Sequence, residues 1–140
     1  MATTVVLRSV GERYTTQITT ERHSLVADEP APDGDDLGPT PYELLLGGLG
    51  SCTSMTLLMY ARRNDWPLRE VQIELSHQRD YVEDCEDCED PAAKLEAVVR
   101  RIHLEGPLSE EQRARLLQVA RRCPVGKTLE SALKIVDQED

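Results

Sequence analysis

The feature that most constrains this sequence is a stretch of eighteen residues without a charge, which runs from Leu44 to Ala61. Glu43 precedes it, and the pair Arg62 and Arg63 follows it. About twenty apolar residues in a row can cross a bilayer, but this stretch is too polar to do so. The residues that dilute it are Gly47, Gly48, Gly50, Ser51, Thr53, Ser54 and Thr56. The stretch therefore predicts a helix of a soluble protein that is buried on nearly all of its sides.

The start of this helix carries clear sequence signals. Pro41 suits the first turn, where the missing backbone N–H is not needed. Thr40 can cap that turn, and the negative charge of Glu43 suits the positive end of the helix. At the other end, Pro67 follows soon after the two arginines and stops the helix.

The residues before the helix predict a small antiparallel sheet. β-Branched residues and short alternating patterns indicate strands at Thr3–Arg8, Tyr14–Thr20 and His23–Ala27. Residues 28–40 are rich in proline, glycine and acidic side chains, so we expect a loop there.

The residues after the helix predict two longer strands and a second helical region. Val71–Gln78 alternates apolar and polar residues, which is typical of a strand with one wet face, and Leu95–Leu104 is its expected partner. Ser109 begins a helix with Gln112 at the third position, a capping-box pattern. Leu133–Val136 is predicted as a closing strand. Together these patterns indicate an α+β fold with a single domain over residues 1–140.

The composition and the first residues of the chain limit which partners and which cellular location we expect. The 140 residues include 16 Lys and Arg against 26 Asp and Glu, a net charge of −10. Phosphate backbones and anionic lipids would repel such a chain, so we expect neither a nucleic acid nor a membrane as a partner. Only 39% of the residues are hydrophobic and none is Phe, which favours a core shared with a second subunit. The first residues lack the pattern of a secretion signal, so the predicted location is the reducing cytoplasm.

Two of the four cysteines lie in segments that predict regular structure. Cys52 lies in the middle of the uncharged helix, where a cysteine is most often a small hydrophobe and burial would raise its pKa. Cys123 precedes Pro124, which predicts a turn and a short helix whose free N–H groups would stabilise a thiolate. From the residues alone, Cys123 is the better candidate for a thiolate, although an incidental capping cysteine is an equal alternative.

The other two cysteines, Cys85 and Cys88, form a CxxC motif in an acidic segment. The surrounding carboxylates should raise the pKa of both thiols, which argues against a thioredoxin-like role. A zinc site would need two more ligands, for which His77, His103 or a second CxxC motif in a dimer are candidates. Free loop thiols are the simplest interpretation.

Two motifs in this sequence resemble those of a known family. They surround Cys52 and Cys123 and comprise Gly38–Leu46, Leu49–Thr53, Arg122–Val125 and Thr128 with Leu129. Their content and separation resemble the OsmC family, the osmotically inducible and organic hydroperoxide resistance proteins. The acidic CxxC loop looks like a feature of a less characterised branch of that family.

The resemblance implies an OsmC-like fold, in which antiparallel sheets wrap around a long buried central helix in an intertwined homodimer. It also implies that Cys52 attacks a peroxide and that Cys123 resolves the resulting sulfenic acid as a disulfide. These roles reverse the order suggested by the local sequence, and they require a cation that folding brings next to Cys52.

The sequence departs from the family at one position of the implied site. Members of the family have a glutamate ten residues before the helix cysteine, which helps to hold a catalytic arginine, but this sequence has Tyr42 there. Glu43 is one place later, which turns it by about 100° around a helix, and it is our candidate substitute. Arg22 is the first candidate for the arginine, followed by Arg13.

The sequence therefore supports two functions from different classes. The first is a thiol-dependent peroxidase that reduces small organic hydroperoxides, needs no cofactor and is recycled by a dithiol reductant. An apolar pocket lined by Leu49, Met55 and Met59 would suit such a substrate. The alternative is a non-catalytic redox-sensing or zinc-binding dimer of the same fold that uses Cys85 and Cys88.

Overall fold

The structure is a computed structural model that describes residues 2–81 and 94–140. The chain forms two compact units, one that extends to Gly47 and one that begins at Gly48. The α+β class with antiparallel sheets is confirmed. The assignment of residues 1–140 to one domain stays a prediction.

The N-terminal unit contains a three-stranded antiparallel sheet. Its strands are β1 (Val6–Ser9), β2 (Thr16–Thr19) and β3 (Ser24–Ala27), in the order β1-β2-β3. The predicted meander is correct, although each strand is shorter than the sequence pattern indicated. Between the first two strands, Gly11 has a φ of +84°, a conformation that side chains with a Cβ rarely adopt.

One buried carboxylate organises the loop that follows the sheet. Asp28 is only 2% exposed, and it accepts hydrogen bonds from the Thr15 hydroxyl and from the N–H groups of Glu29 and Leu37. Burial alone would raise the pKa of Asp28, but these hydrogen bonds outweigh it and lower the pKa. Residues 28–40 form no strand, and hydrogen bonds to Asp28 hold this proline-rich segment in place.

The long helix α1 (Pro41–Arg63) begins as the sequence predicts. The N–H of Thr40 donates to Glu43 Oε1 at 2.9 Å, and the N–H of Glu43 donates to the Thr40 hydroxyl at 3.2 Å. These two bonds form a capping box that satisfies N–H groups without a partner inside the helix.

Helix α1 is buried along one stripe, which differs from the prediction of burial on nearly all sides. Its buried residues are Leu49, Gly50, Thr53, Leu57 and Ala61. On another face Met55 is 64% exposed and Met59 is 58% exposed. By length and composition alone the helix could cross a membrane, a test that core helices of soluble proteins also pass. Sequence pattern cannot distinguish burial within one chain from burial against a second one.

The C-terminal unit contains a long two-stranded hairpin, β4 (Glu70–Tyr81) and β5 (Lys94–Glu105). The strands are antiparallel, with Ile73 opposite Ile102. On β4 the apolar residues from Val71 to Leu75 share the covered face, as their alternation predicts. Leu75 comes so close to α1 that a Cβ on Gly50 would lie 2.7 Å from its Cδ1 atom.

Three short elements complete this unit. They are α2 (Glu110–Val119), a single 3₁₀ turn (Ala120–Arg122) and α3 (Pro124–Glu130). Ser109 and Gln112 form the predicted capping box at the start of α2. The apolar core consists of Leu57, Ala61, Leu104, Leu116, Val119 and Ala120. This core fixes the position of the turn between α2 and α3 relative to α1.

The predicted strand at Leu133–Val136 is wrong. Among the described residues, those from 132 onward form neither helix nor strand, and Ile135 is 81% exposed. An apolar run becomes a strand only where another strand edge can pair with it, and sequence pattern alone does not supply that edge.

Candidate functional site

Folding brings two of the predicted site residues together. Cys52 lies half-buried on α1, and Cys123 lies fully buried between the 3₁₀ turn and α3. Although 71 positions separate them in the sequence, folding brings them close enough for each thiol to shift the pKa of the other. Both are free thiols. The site is therefore a reduced cysteine pair with one partner open to solvent and one enclosed.

Hydrogen-bond donors surround the enclosed thiol of Cys123. The groups that lower its pKa are the Thr53 hydroxyl and the Cys52 thiol on α1 and the N–H groups of Val125 and Gly126 on α3. As a thiol, Cys123 itself donates to the Leu49 carbonyl, with 3.9 Å between sulfur and oxygen. The local sequence explains part of this arrangement, because Pro124 begins a helix whose first N–H groups are unpaired.

These surroundings favour the negative charge on Cys123. Burial by itself would raise the pKa of Cys123, but the hydrogen bonds from Thr53, Cys52 and the α3 backbone outweigh it and lower the pKa. The direction agrees with the expectation from the local sequence. Hydrogen bonds to the sulfur cause the shift, and not the nearby basic residues in the sequence, which are exposed at Arg121 and Arg122.

The surroundings of Cys52 have the opposite effect. Burial is the largest effect and raises the pKa of Cys52. The Val125 N–H lowers this pKa, the neighbouring Cys123 raises it, and the Thr56 hydroxyl, the smallest of these effects, lowers it. Of the two thiols, Cys123 is therefore the one that loses its proton more readily.

Arg100 is a residue of this site that the sequence interpretation missed. From β5 its Nη1 atom donates to the Thr53 hydroxyl at 2.8 Å and to the Ala120 carbonyl at 3.3 Å. Thr53 is fully buried, and its hydroxyl also bonds to the Leu49 carbonyl at 2.8 Å. The guanidinium of Arg100 thus contacts the same hydroxyl that lowers the pKa of Cys123.

A sequence signal for Arg100 does exist. Arg100 lies two and four residues before Ile102 and Leu104, and in a strand these three residues share one face. All three are covered in the structure, whereas Arg101 on the other face has an 80% exposed side chain. An arginine in phase with the apolar residues of a strand is the signal for a cation that faces the protein interior.

The other predicted catalytic residues lie in the N-terminal unit. The carboxylate of Glu43 is engaged in the capping box of α1, and hydrogen bonds from the Thr40 N–H and hydroxyl lower its pKa. Arg22 is exposed in the turn between β2 and β3, where its N–H contacts the Thr20 hydroxyl. Arg13 forms an ion pair with Asp35 at 3.1 Å. Catalytic roles for Glu43 and Arg22 stay predictions.

The proposed metal ligands Cys85 and Cys88 lie outside the described residues. Within residues 2–81 and 94–140, no group of three or more His, Cys, Asp and Glu side chains is arranged to hold a metal ion. His77 faces Glu96 across the hairpin at 3.9 Å, and His103 contacts Glu105 on its own strand. Zinc at Cys85 and Cys88 stays a prediction.

Two cavities of the C-terminal unit are lined by sequence neighbours of the two cysteines, although neither lining includes Cys52 or Cys123. One of about 240 Å³ is lined by Thr56, Met59, Tyr60, Arg63, Val119, Arg122 and Pro124. The other, of about 340 Å³, is lined by Leu49, Glu96, Ala97, Val98, Arg100, Gly126, Leu129 and Glu130. Leu49 and Met59 thus line different cavities, and Met55 lines neither.

The geometry suits reversible two-electron chemistry of sulfur. Two neighbouring thiols can form a disulfide once one of them has been activated by an oxidant. A thiolate attacks far faster than a thiol, so the lowered pKa of Cys123 matters for that step.

Comparisons with known proteins support a family and a fold. Residues 34–136 match the family of OsmC-like proteins. The structure is similar to that of an OsmC-like protein from Mycoplasma pneumoniae, with a TM-score of 0.74 and 17% identity, covering 94% of this chain and 89% of the other. A search of curated proteins finds no match.

Similar structures also include two organic hydroperoxide resistance proteins. One is OhrB of Bacillus subtilis, with a TM-score of 0.64 and 20% identity, covering 94% of this chain and 93% of the other. The second is an OsmC protein from Legionella pneumophila, with a TM-score of 0.64 and 18% identity, covering 91% and 89%. At these identities the likeness shows a shared fold.

Proposed function

The chain belongs to the family of OsmC-like proteins, and from this premise we propose that it is a thiol-dependent peroxidase that reduces organic hydroperoxides. Membership and the named relatives support a role in peroxide resistance or thiol redox chemistry. The observation that carries the finer proposal is the proximity of the Cys52 and Cys123 thiols, each of which shifts the pKa of the other.

Cys52 is the attacking residue and Cys123 the resolving residue in this proposal. The Cys52 sulfur bonds to the terminal oxygen of the hydroperoxide, the O–O bond breaks, and an alcohol leaves once it has gained a proton. The Cys123 thiolate then attacks the Cys52 sulfenic acid and forms the disulfide, and the departing hydroxide takes a proton to become water. The two thiols lose two electrons, and the peroxide gains them.

The position of the two thiols supports this division of roles. Cys52 is partly open to solvent, whereas Cys123 is fully buried, so a peroxide reaches Cys52 first. Met59, Val119 and Pro124 give the 240 Å³ cavity apolar walls, and Pro124 directly follows Cys123 in the chain. Such walls suit an alkyl or aryl hydroperoxide better than hydrogen peroxide.

We extend the proposal to the assembly and the reductant. A cytoplasmic homodimer would cover the exposed face of α1 that carries Met55 and Met59, because exposed apolar patches commonly mark interfaces. A dithiol of the cell would reduce the disulfide and restore both thiols. Light scattering on the purified protein gives the number of subunits.

Peroxide consumption tests the proposed activity. With dithiothreitol as the dithiol and cumene hydroperoxide as the oxidant, we expect catalytic turnover by the wild type and none by Cys52→Ser. Without reductant, one equivalent of peroxide should join Cys52 to Cys123, which peptide mass mapping detects.

A double variant, Cys85→Ser with Cys88→Ser, serves as the control for these thiol counts. It leaves two thiols per chain, so a disulfide formed within one chain must join Cys52 and Cys123. Failure of the wild type to consume peroxide, or a disulfide that excludes Cys123, would contradict the proposed function.

A further inference from the structure

The 240 Å³ cavity has a feature that the proposed chemistry does not use. Its lining includes two arginines, Arg63 at the end of α1 and Arg122 in the 3₁₀ turn. The rest of the lining is uncharged and consists of Thr56, Met59, Tyr60, Val119 and Pro124. Two like charges therefore face one small space whose walls offer them no carboxylate.

The lack of an acidic neighbour stands out in a chain with so many carboxylates. The sequence has 26 Asp and Glu against 16 Lys and Arg, and Arg13, for example, pairs with Asp35 at 3.1 Å. In the described part of the chain, Arg63 and Arg122 form no ion pair. Two guanidinium groups at one cavity repel each other, and an anionic ligand would offset this repulsion.

Building on the proposed peroxidase function, we propose that Arg63 and Arg122 bind an acidic group of the substrate, which is a small organic hydroperoxide that carries a carboxylate. The two arginines determine specificity. They act on binding, and the reaction at Cys52 and Cys123 stays as described under the proposed function.

One face of α1 connects the cavity to Cys52. Thr56, Met59 and Arg63 follow Cys52 by four, seven and eleven residues, spacings that keep all four within about 60° of one another around the helix. The Thr56 hydroxyl bonds to the Cys52 carbonyl at 2.7 Å, so the cavity begins one helical turn from the cysteine. A substrate that lies along this face can reach both the sulfur and Arg63.

The dimensions of this face suit a compact substrate. Eleven residues of helix rise by about 16 Å, and the long side chain of Arg63 shortens the gap, because helical side chains lean toward the N-terminus and hence toward Cys52. The cavity volume of about 240 Å³ lies below the roughly 300 to 1,000 Å³ of sites for drug-sized ligands. It fits a short hydrocarbon body with an acidic group at the arginine end.

A third arginine adds positive charge to the wall of this cavity. Arg115 Nε donates to the Tyr60 hydroxyl at 3.1 Å, and the guanidinium lies 5.7 Å from the centre of the Tyr60 ring. Its other side-chain bond goes to the uncharged Gln118 at 3.1 Å. The potential here is therefore positive although the chain as a whole is acidic. Guanidinium groups also match a carboxylate in shape, because they can donate two parallel N–H bonds to it.

Three hydroperoxides that differ in one group test the specificity. They are cumene hydroperoxide, its para-carboxylate and the methyl ester of that carboxylate, which keeps the carbonyl group and removes the charge. Peroxide consumption is measured with dithiothreitol at low ionic strength, because salt screens exposed charges. We expect kcat/KM of the wild type to be roughly tenfold higher for the carboxylate than for the methyl ester, as for charge-assisted bonds at accessible arginines.

Four single variants test the two arginines. Arg63→Gln and Arg122→Gln should each lower the carboxylate-to-ester ratio of kcat/KM, and the double variant should bring it close to one. Arg62→Gln and Arg121→Gln are the matched controls, since each makes the same change at an adjacent exposed arginine outside the lining. Their ratios should equal that of the wild type. Because each ratio is taken within one variant, partial unfolding cancels.

Two results would overturn the assignment. One is a wild-type ratio close to one, and the other is a ratio that falls as much in the two controls as in Arg63→Gln and Arg122→Gln. Met59 lines this cavity and also belongs to the face that we assign to a second subunit, so all assays use the purified protein in its own state of assembly.

Binding of an unreactive acid separates this inference from the peroxidase function. 4-Isopropylbenzoate has the carbon skeleton of the acidic substrate without the peroxide, and isothermal titration calorimetry measures its affinity. We expect the Arg63→Gln, Arg122→Gln double variant to bind it roughly tenfold more weakly than the wild type does. The uncharged 4-isopropylbenzamide should bind both proteins equally.

The two proposals can fail separately. A wild type that consumes none of the three hydroperoxides but binds 4-isopropylbenzoate through the two arginines would contradict the peroxidase function and support the cavity as a site for a small organic acid. A wild type that consumes all three at the same rate, and binds the acid no better than the amide, would do the reverse.

Discussion

Helix α1 carries two threonines that each hydrogen-bond the carbonyl four residues earlier, and they serve different cysteines. Thr53 bonds to the Leu49 carbonyl at 2.8 Å, and Thr56 bonds to the Cys52 carbonyl at 2.7 Å. Thr53 is fully buried, receives a bond from Arg100 and contacts Cys123. Thr56 is half-buried and contacts the thiol of Cys52.

The comparison teaches that the same local bond has different consequences in different surroundings. Both hydroxyls lower the pKa of their cysteine, yet only the cysteine beside Thr53 has a lowered pKa overall. At Cys123 the hydrogen-bonding groups of Thr53, Cys52, Gly126 and Val125 together outweigh burial, whereas at Cys52 burial prevails over Val125 and Thr56. The charge preference of the site is therefore a tertiary property.

The largest expected difference is in the free energy of unfolding of two single variants, each of which removes one of the two hydroxyls. Thr53→Val removes one of the two acceptors of the part-buried Arg100 Nη1 atom and replaces a fully buried hydroxyl, so we expect it to destabilise the fold by about 1 to 3 kcal/mol. Thr56→Val makes the same chemical change without disturbing another element, and a change below about 0.5 kcal/mol is expected. Urea denaturation of both variants measures the difference. Equal changes in the free energy of unfolding would contradict the expectation that the surroundings of Thr53 make its hydroxyl more important for stability.

A smaller effect is expected from truncating the two cysteines. Cys123→Ala removes a fully buried sulfur and leaves a small void, which should cost about 1 to 2 kcal/mol. Cys52→Ala acts at a half-buried helical position where alanine is favourable, so we expect a change of less than about 0.5 kcal/mol. Thermal unfolding with reductant present compares them. A larger loss of stability in Cys52→Ala than in Cys123→Ala would contradict this prediction.

Local patterns predicted most of the elements of this protein. The capping boxes at Thr40 and Ser109 and the turn at Pro124 depend on neighbouring residues, and all three are found in the structure. The alternation in β4 likewise follows from one wet face and one covered face.

The parts that the sequence did not predict depend on contacts between distant segments. The bond from Arg100 to Thr53 joins residues 47 positions apart, and no pattern around either residue indicates the other. The apolar run at Leu133–Val136 resembles a strand, but strand formation needs an edge with which to pair. The one-sided burial of α1 escaped prediction because an uncharged helix looks the same whether one chain or two cover it.

The Leu49 carbonyl accepts more hydrogen bonds than it can satisfy well, and this affects how easily the Cys123 thiol loses its proton. As a helical carbonyl it already accepts a backbone bond, and the Thr53 hydroxyl and the Cys123 thiol compete for what remains of its two lone pairs. The thiol is the weakest and most distant of these donors. Because this acceptor is shared by several donors, the Cys123 thiol loses only a long and weak hydrogen bond when it loses its proton.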